Sequence, residues 1–148
     1  MGRVVSKKRS TNSQTAEPCF VRGRKPKNDD GYFEGLTHQI FQAGLNYQMV
    51  QDKWPAFQKA LSRFNVARVA NYTPERIDRL LANQAIIRNG RKIEATVYNA
   101  RAFMAIQREY GSFRKYLRSW DGAKFDALQR DLIKRFKHVG PSAAQWFL

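Results

Sequence analysis

Apolar residues recur at helical spacing along most of this chain, and no stretch alternates with the period of two that a half-buried strand requires. Phe33, Leu36, Ile40, Ala43, Tyr47 and Val50 follow one another at steps of three and four. That spacing puts all six on one core-facing stripe of a long first helix, with Asp29 and Asp30 as its caps. A second helix is predicted over about 55–64, opened by Pro55 and burying Phe57, Leu61 and Phe64. Short helices follow at about 66–71 and 74–83, the latter capped by Thr73 with Pro74 at its first position and Ile77, Leu80 and Leu81 inward. A long helix from about 90 to 109 buries Ile93, Val97, Ala100 and Met104, and a basic amphipathic helix carries Phe125, Leu128, Leu132 and Phe136. The architecture this pattern permits is all-α, a bundle of six to eight short and medium helices.

The basic helix is expected to end near Lys137, and a tight hairpin follows it. Gly140 permits a close backbone path, and Pro141 suits the first turn of a last helix through Ala143, Ala144 and Trp146. Free amide N–H groups at such a turn, in the company of Lys134, Arg135, Lys137 and His138, suit a phosphate group. A plain corner between two helices satisfies the local sequence equally well.

With 148 residues, 43% of them hydrophobic and 13% aromatic, the chain can bury one core and not two sizeable ones. The formal charge of +15 points to a polyanionic partner, and the lack of a membrane-spanning run favours nucleic acid over lipid. Residues 1–28 hold eight Lys and Arg against Glu17 alone, a net +7 that leaves +8 on the remainder. This stretch is expected to be a flexible basic arm, and residues 29–148 one helical domain. Cys19 is the only cysteine, which excludes an intrachain disulfide and a thiolate-rich zinc site and suits a reducing, cytoplasmic setting. His38 and His138 are the only histidines.

Gln39, Gln42 and Asn46 form a row of side-chain amides beside Tyr47 on the first helix. Amides both donate and accept, so such a row can read the edge of a nucleobase whose face stacks on the ring; the plainer alternative is that it satisfies backbone groups between helices. Glu94, Glu109, Asp126 and Asp131 each have a Lys or Arg within four residues and read as charge-balanced surface. No Ser/His/Asp or Cys/His motif, phosphate loop or nicotinamide fingerprint occurs. Arg88, Arg91 and Lys92 surround the turn that opens the long helix, either as a second phosphate site or as a solvated loop.

Three stretches then line up in order: Phe33-Glu34 through Phe41-Gln42-Ala43-Gly44-Leu45-Asn46-Tyr47, Ala85 through Ile93, and Phe136-Lys137-His138-Val139-Gly140. Together they resemble the DNA-3-methyladenine glycosylase I family of the helix-hairpin-helix glycosylases, over roughly residues 29–148. The resemblance implies a DNA repair glycosylase that flips and excises alkylated purines from double-stranded DNA, without a cofactor and as a monomer. In a bacterium it would work at the nucleoid. It implies a base pocket of Gln39, Gln42, Asn46 and Tyr47, with Gln39 at the catalytic position. DNA would be held by Arg88, Arg91, Lys92, Lys137, His138, Val139, Gly140 and Ser142. An N3-alkylated adenine is cationic and its glycosidic bond already weakened, so flipping and positioning for water would carry most of the chemistry. The departures are specific. The family's pocket glutamate falls at Gln39 and its stacking tryptophan at Tyr47, its zinc ligands have no counterparts, and the sequence ends at Leu148 inside the second hairpin helix. These changes leave a non-catalytic DNA-binding module with a degenerate pocket as the alternative.

Overall fold

Six of the helices begin at a residue whose side chain accepts a hydrogen bond from the backbone N–H three positions on, which satisfies one of the amides a helix start leaves bare. Asn28 does this for Gly31, Asn46 for Met49, Asn65 for Arg68, Thr73 for Arg76, Asn89 for Lys92 and Ser112 for Lys115. A computed structural model describes residues 26–123 and 125–146 of the chain. The helices among them are α1 (Asp29–Gln42), α2 (Tyr47–Ala60), α3 (Val66–Ala70), α4 (Pro74–Ala82), α5 (Gly90–Tyr110), α6 (Phe113–Arg118), α7 (Phe125–Arg135) and α8 (Pro141–Trp146). Most of the expected arm, Cys19 included, lies outside the described residues. Its last residues are already part of the body: Pro26 is buried and its carbonyl accepts from the Arg114 guanidinium.

The expected long first helix is two helices. Gly44, at φ +78°, and the cap at Asn46 end one and start the next across a four-residue turn. The turn preserves the spacing of the apolar stripe, so periodicity alone cannot register it. Ala43 and Tyr47 are exposed, whereas Val50 is buried on α2. Pro55 accordingly lies inside α2 rather than at its start. Asp29 and Asp30 are not the caps; they join elements far apart in sequence. The Asp29 carboxyl accepts from the Phe113 N–H (3.0 and 3.2 Å) and from Gln107 Nε2 (2.7 Å), and Asp30 Oδ1 accepts from the Val66 N–H (3.0 Å).

Helix α5 runs antiparallel to α1, since Gln107 near its end meets Asp29 while Lys92 near its start meets Phe41 and Ala43. Between and around them lies an aromatic core in which Phe33, Phe41, Trp54, Phe57, Phe64, Phe103, Phe113 and Tyr116 are all essentially fully buried. Phe33 sits edge-on to both Phe64 and Phe103 at 5.7 Å, the arrangement ring quadrupoles favour. Helix α6, which carries Phe113 and Tyr116 into this core, has no expected counterpart; six residues are too few to show a period.

Between α2 and α3 the chain makes a single turn, Ser62–Phe64, whose three residues have φ of +53°, +54° and +60°. Left-handed backbone costs roughly 1–2 kcal/mol per non-glycine residue. Here it is held by buried Phe64, stacked on Trp54 at 5.3 Å, and by the hydrogen bond between Ser62 Oγ and the Tyr72 hydroxyl (2.7 Å).

Candidate functional site

Helix α1 ends where the Ala43 N–H reaches the Gln39 carbonyl and the Leu45 N–H the Gln42 carbonyl. No basic residue of α1 stands in its last turn; Lys92 of α5 does that work, donating to the carbonyls of Phe41 (3.4 Å) and Ala43 (3.0 Å). This contact brings the Arg88–Lys92 turn against the end of α1. It also commits Lys92, whose ammonium is pushed down in pKa by burial, to the body of the protein. Arg88 and Arg91 beside it remain exposed.

The expected amide row does not survive as a row. Gln39 and Gln42 are partly buried on α1, whereas Asn46 lies past the turn, exposed, its side chain spent on the Met49 N–H. Tyr47 stands at the first position of α2 and is 51% exposed, next to the exposed Leu45. Behind Tyr47 is a residue that sequence reasoning did not assign to the site. The ring of buried His38 meets Tyr47 edge-on at 5.8 Å and Trp54 at 4.7 Å, and its Nε2 shares a hydrogen bond with Gln51 Oε1 (2.7 Å). Burial holds the His38 imidazole well below its ordinary pKa, at about 4, against a smaller opposing effect of the Gln51 bond. It is therefore neutral at physiological pH. Trp54 is oriented in turn by Glu34, whose Oε2 accepts from Trp54 Nε1 (2.8 Å) and Gln58 Nε2 (2.9 Å). The exposed ring of Tyr47 thus rests on a fixed succession of His38, Trp54 and Glu34. The signal for it in the sequence is a histidine within an apolar helix row, immediately before Gln39.

The hairpin between α7 and α8 forms as expected, with a different hinge. The left-handed residue is His138, at φ +59°, and not Gly140, where an added Cβ would meet nothing within 4 Å. Asn99, buried on α5, pins the turn by donating to the Lys137 carbonyl (3.1 Å) and accepting from its N–H (2.8 Å). Val139 is buried in the core, while Gly140 and Ser142 are exposed. Lys137 lies over the Tyr98 ring at 4.4 Å. Arg135, expected among the hairpin's free cations, turns back to Asp131 (2.6 Å) and Glu109 (3.5 Å) and over Tyr110 and Tyr116. Phe125, the first residue of the expected apolar row, is 44% exposed at the start of α7. The second hairpin helix packs on α1, the helix that carries Gln39.

Among the described residues no group of three His, Cys, Asp or Glu side chains is placed to hold a metal ion. No described helix is long and apolar enough to cross a membrane.

An all-helical body with a pinned basic hairpin, facing a helix that ends beside an exposed ring, defines a helix-hairpin-helix protein. A family model for methyladenine glycosylase matches residues 22–145, and the chain belongs to that family. A DNA-3-methyladenine glycosylase of Haemophilus influenzae is 31% identical over 97 residues, covering 65% of this chain and 52% of that protein. DNA-3-methyladenine glycosylase 1 of Escherichia coli is 27% identical over 135 residues, covering 78% and 72%. The chain thus spans about half to three quarters of the length of these relatives. The solved 3-methyladenine DNA glycosylase I of Staphylococcus aureus superposes with a TM-score of 0.74 at 29% identity, over 85% of this chain and 77% of that one.

Proposed function

We propose that the chain is a DNA repair glycosylase that flips alkylated purines of the 3-methyladenine type out of duplex DNA and hydrolyses their N-glycosidic bond. What supports this reading is a fold shared with 3-methyladenine glycosylases in which Lys92, at the head of α5, closes the end of α1 and the half-exposed ring of Tyr47 opens the next helix. A flipped cationic base stacks on the Tyr47 face, where the ring quadrupole attracts positive charge, while the Gln39 amide reads its edge. Neutral His38 adds no like charge beneath that ring. Leu45, apolar and exposed at the turn, is a side chain of the kind that wedges between base steps. The hairpin amides at Val139 and Gly140 hold a backbone phosphate. Since N3 alkylation already weakens the bond, catalysis needs positioning of water more than a strong acid.

Release of free 3-methyladenine from methylated duplex DNA tests the reading. Release above the uncatalysed rate is expected. The neutral amide at Gln39, where the family places a glutamate, favours a second reading as a binding module, and intact DNA binding without release would select it. Gly140→Ala tests the hairpin. Its Cβ has open space, so thermal stability is expected to stay unchanged. Affinity for all DNA sequences should fall about threefold or more as the phosphate is held off. Unchanged affinity would remove the hairpin from the interface.

A further inference from the structure

A depression of about 510 Å³ opens beside the left-handed turn that joins α2 to α3, lined by Lys59, Ser62, Arg63, Asn65 and Arg68. No ring and no apolar side chain is in that lining, so it offers a nucleobase nothing to stack on. It offers charge instead. None of its three cations has a carboxylate at ion-pair distance among the described residues, where ion pairs form around Arg135. The carboxyl that does reach this segment, Asp30, has one oxygen engaged by the Val66 N–H. The backbone here is fixed in an unfavourable conformation by the burial of Phe64 and the Ser62–Tyr72 hydrogen bond, and Arg63 is held exposed between them.

The depression is remote from the hairpin. Asn99 of α5 pins the hairpin turn, whereas Arg101 of α5 donates to the carbonyls of Ala70 and Tyr72 at the end of α3. Two residues along an α-helix are separated by about 200° around its axis. The hairpin and α3 therefore flank opposite sides of the long helix.

We propose that this depression is a second phosphate-binding site, which takes backbone phosphates of a nucleic-acid strand that the hairpin does not reach. The inference rests on the chain binding nucleic acid and does not depend on excision. The site reads no sequence, because phosphate contacts position and do not specify.

The test is fluorescence anisotropy of the full chain on a long undamaged duplex at graded salt. The site variant combines Lys59→Gln, Arg63→Asn and Arg68→Gln, with asparagine chosen because it accepts the left-handed backbone. A control variant, Arg108→Gln with Lys115→Gln and Arg118→Gln, removes the same charge from other exposed positions. The site variant is expected to bind about tenfold more weakly at near-physiological salt and to lower the log–log salt slope by about two to three, at roughly 0.9 per phosphate contact. The control should change affinity by less than about twofold. Equal losses in both variants, or an unaltered slope in the site variant, would overturn the proposal. So would inorganic pyrophosphate binding abolished by the site variant while DNA binding stays intact, which would assign the depression to a small phosphate ligand. Failure of the parent chain to bind any duplex would instead sink the nucleic-acid reading itself, whereas binding without base release leaves this proposal standing and removes only excision.

Discussion

The two ends of helix α1 are built for opposite purposes. At its start, Asp29 and Asp30 tie together α1, α3, α5 and α6 through hydrogen bonds to backbone and side-chain donors, and the surrounding rings are buried. At its end the chain turns through Gly44 into four exposed residues, Gly44, Leu45, Asn46 and Tyr47, with the last carbonyls of α1 capped by Lys92 from a distant helix. Stability is concentrated at one end, and the proposed recognition site lies at the other. The rigid end allows the open one to present a ring and a turn without paying for order locally. His38, Trp54 and Glu34 carry that rigidity along α1 and α2 toward Tyr47.

The largest expected effect lies at the closed end. Asp29→Ala removes the acceptor that joins the Phe113 N–H and the Gln107 amide to the start of α1, and losing such a part-buried charge-assisted bond costs about 1–3 kcal/mol. Urea unfolding should show a loss of about 2–4 kcal/mol with little change in single-turnover excision. A loss below about 0.5 kcal/mol would mean that the two ends of α1 are not built differently.

A smaller effect belongs to His38. Its folded pKa of about 4 lies below the ordinary histidine value, so between these values the unfolded chain binds a proton that the folded chain does not. Stability is therefore expected to be constant above about pH 6.5 and to fall as pH drops toward 4, by up to about 3 kcal/mol. Comparison of unfolding against pH for the parent chain and His38→Gln isolates this contribution. A parent and a variant with the same acid dependence would show that His38 is not held neutral.

Much of this fold is legible in the amino-acid order. Thr73 before Pro74 marks a helix start, the basic turn at Arg88–Lys92 opens the long helix, and the apolar rows pick out Leu80 of α4, Leu128 and Leu132 of α7, and Ile93, Val97 and Ala100 of α5, while missing Phe103 and Ile106 and overstating the burial of Met104. The failures have physical causes. A four-residue turn keeps the helical phase, so the stripe from Phe33 to Val50 hides a break that Gly44 and Asn46 announce locally. Gly140 draws attention as the flexible residue of the hairpin, yet His138 takes the left-handed conformation because Asn99 fixes the neighbouring peptide. The turn at Ser62–Phe64 contains no glycine to announce it. Contacts at long range, such as Lys92 on the α1 carbonyls or Asn99 on Lys137, leave no local pattern. Of the proposed site, Gln39 and Tyr47 are marked by the family resemblance, whereas His38 emerges only once the helices are packed.

The most direct test of this division measures single-turnover release of 3-methyladenine from methylated duplex by the parent chain and by Tyr47→Ala, with thermal unfolding of the same samples. Tyr47 is half exposed, so the variant should keep its stability within about 0.5 kcal/mol. Base release should fall about tenfold or more through loss of stacking, worth about 1–3 kcal/mol per base, with affinity for undamaged DNA unchanged. Release at the parent rate, or a loss of release matched by equal losses of stability and undamaged-DNA affinity, would contradict a recognition end built on a separately stabilised helix.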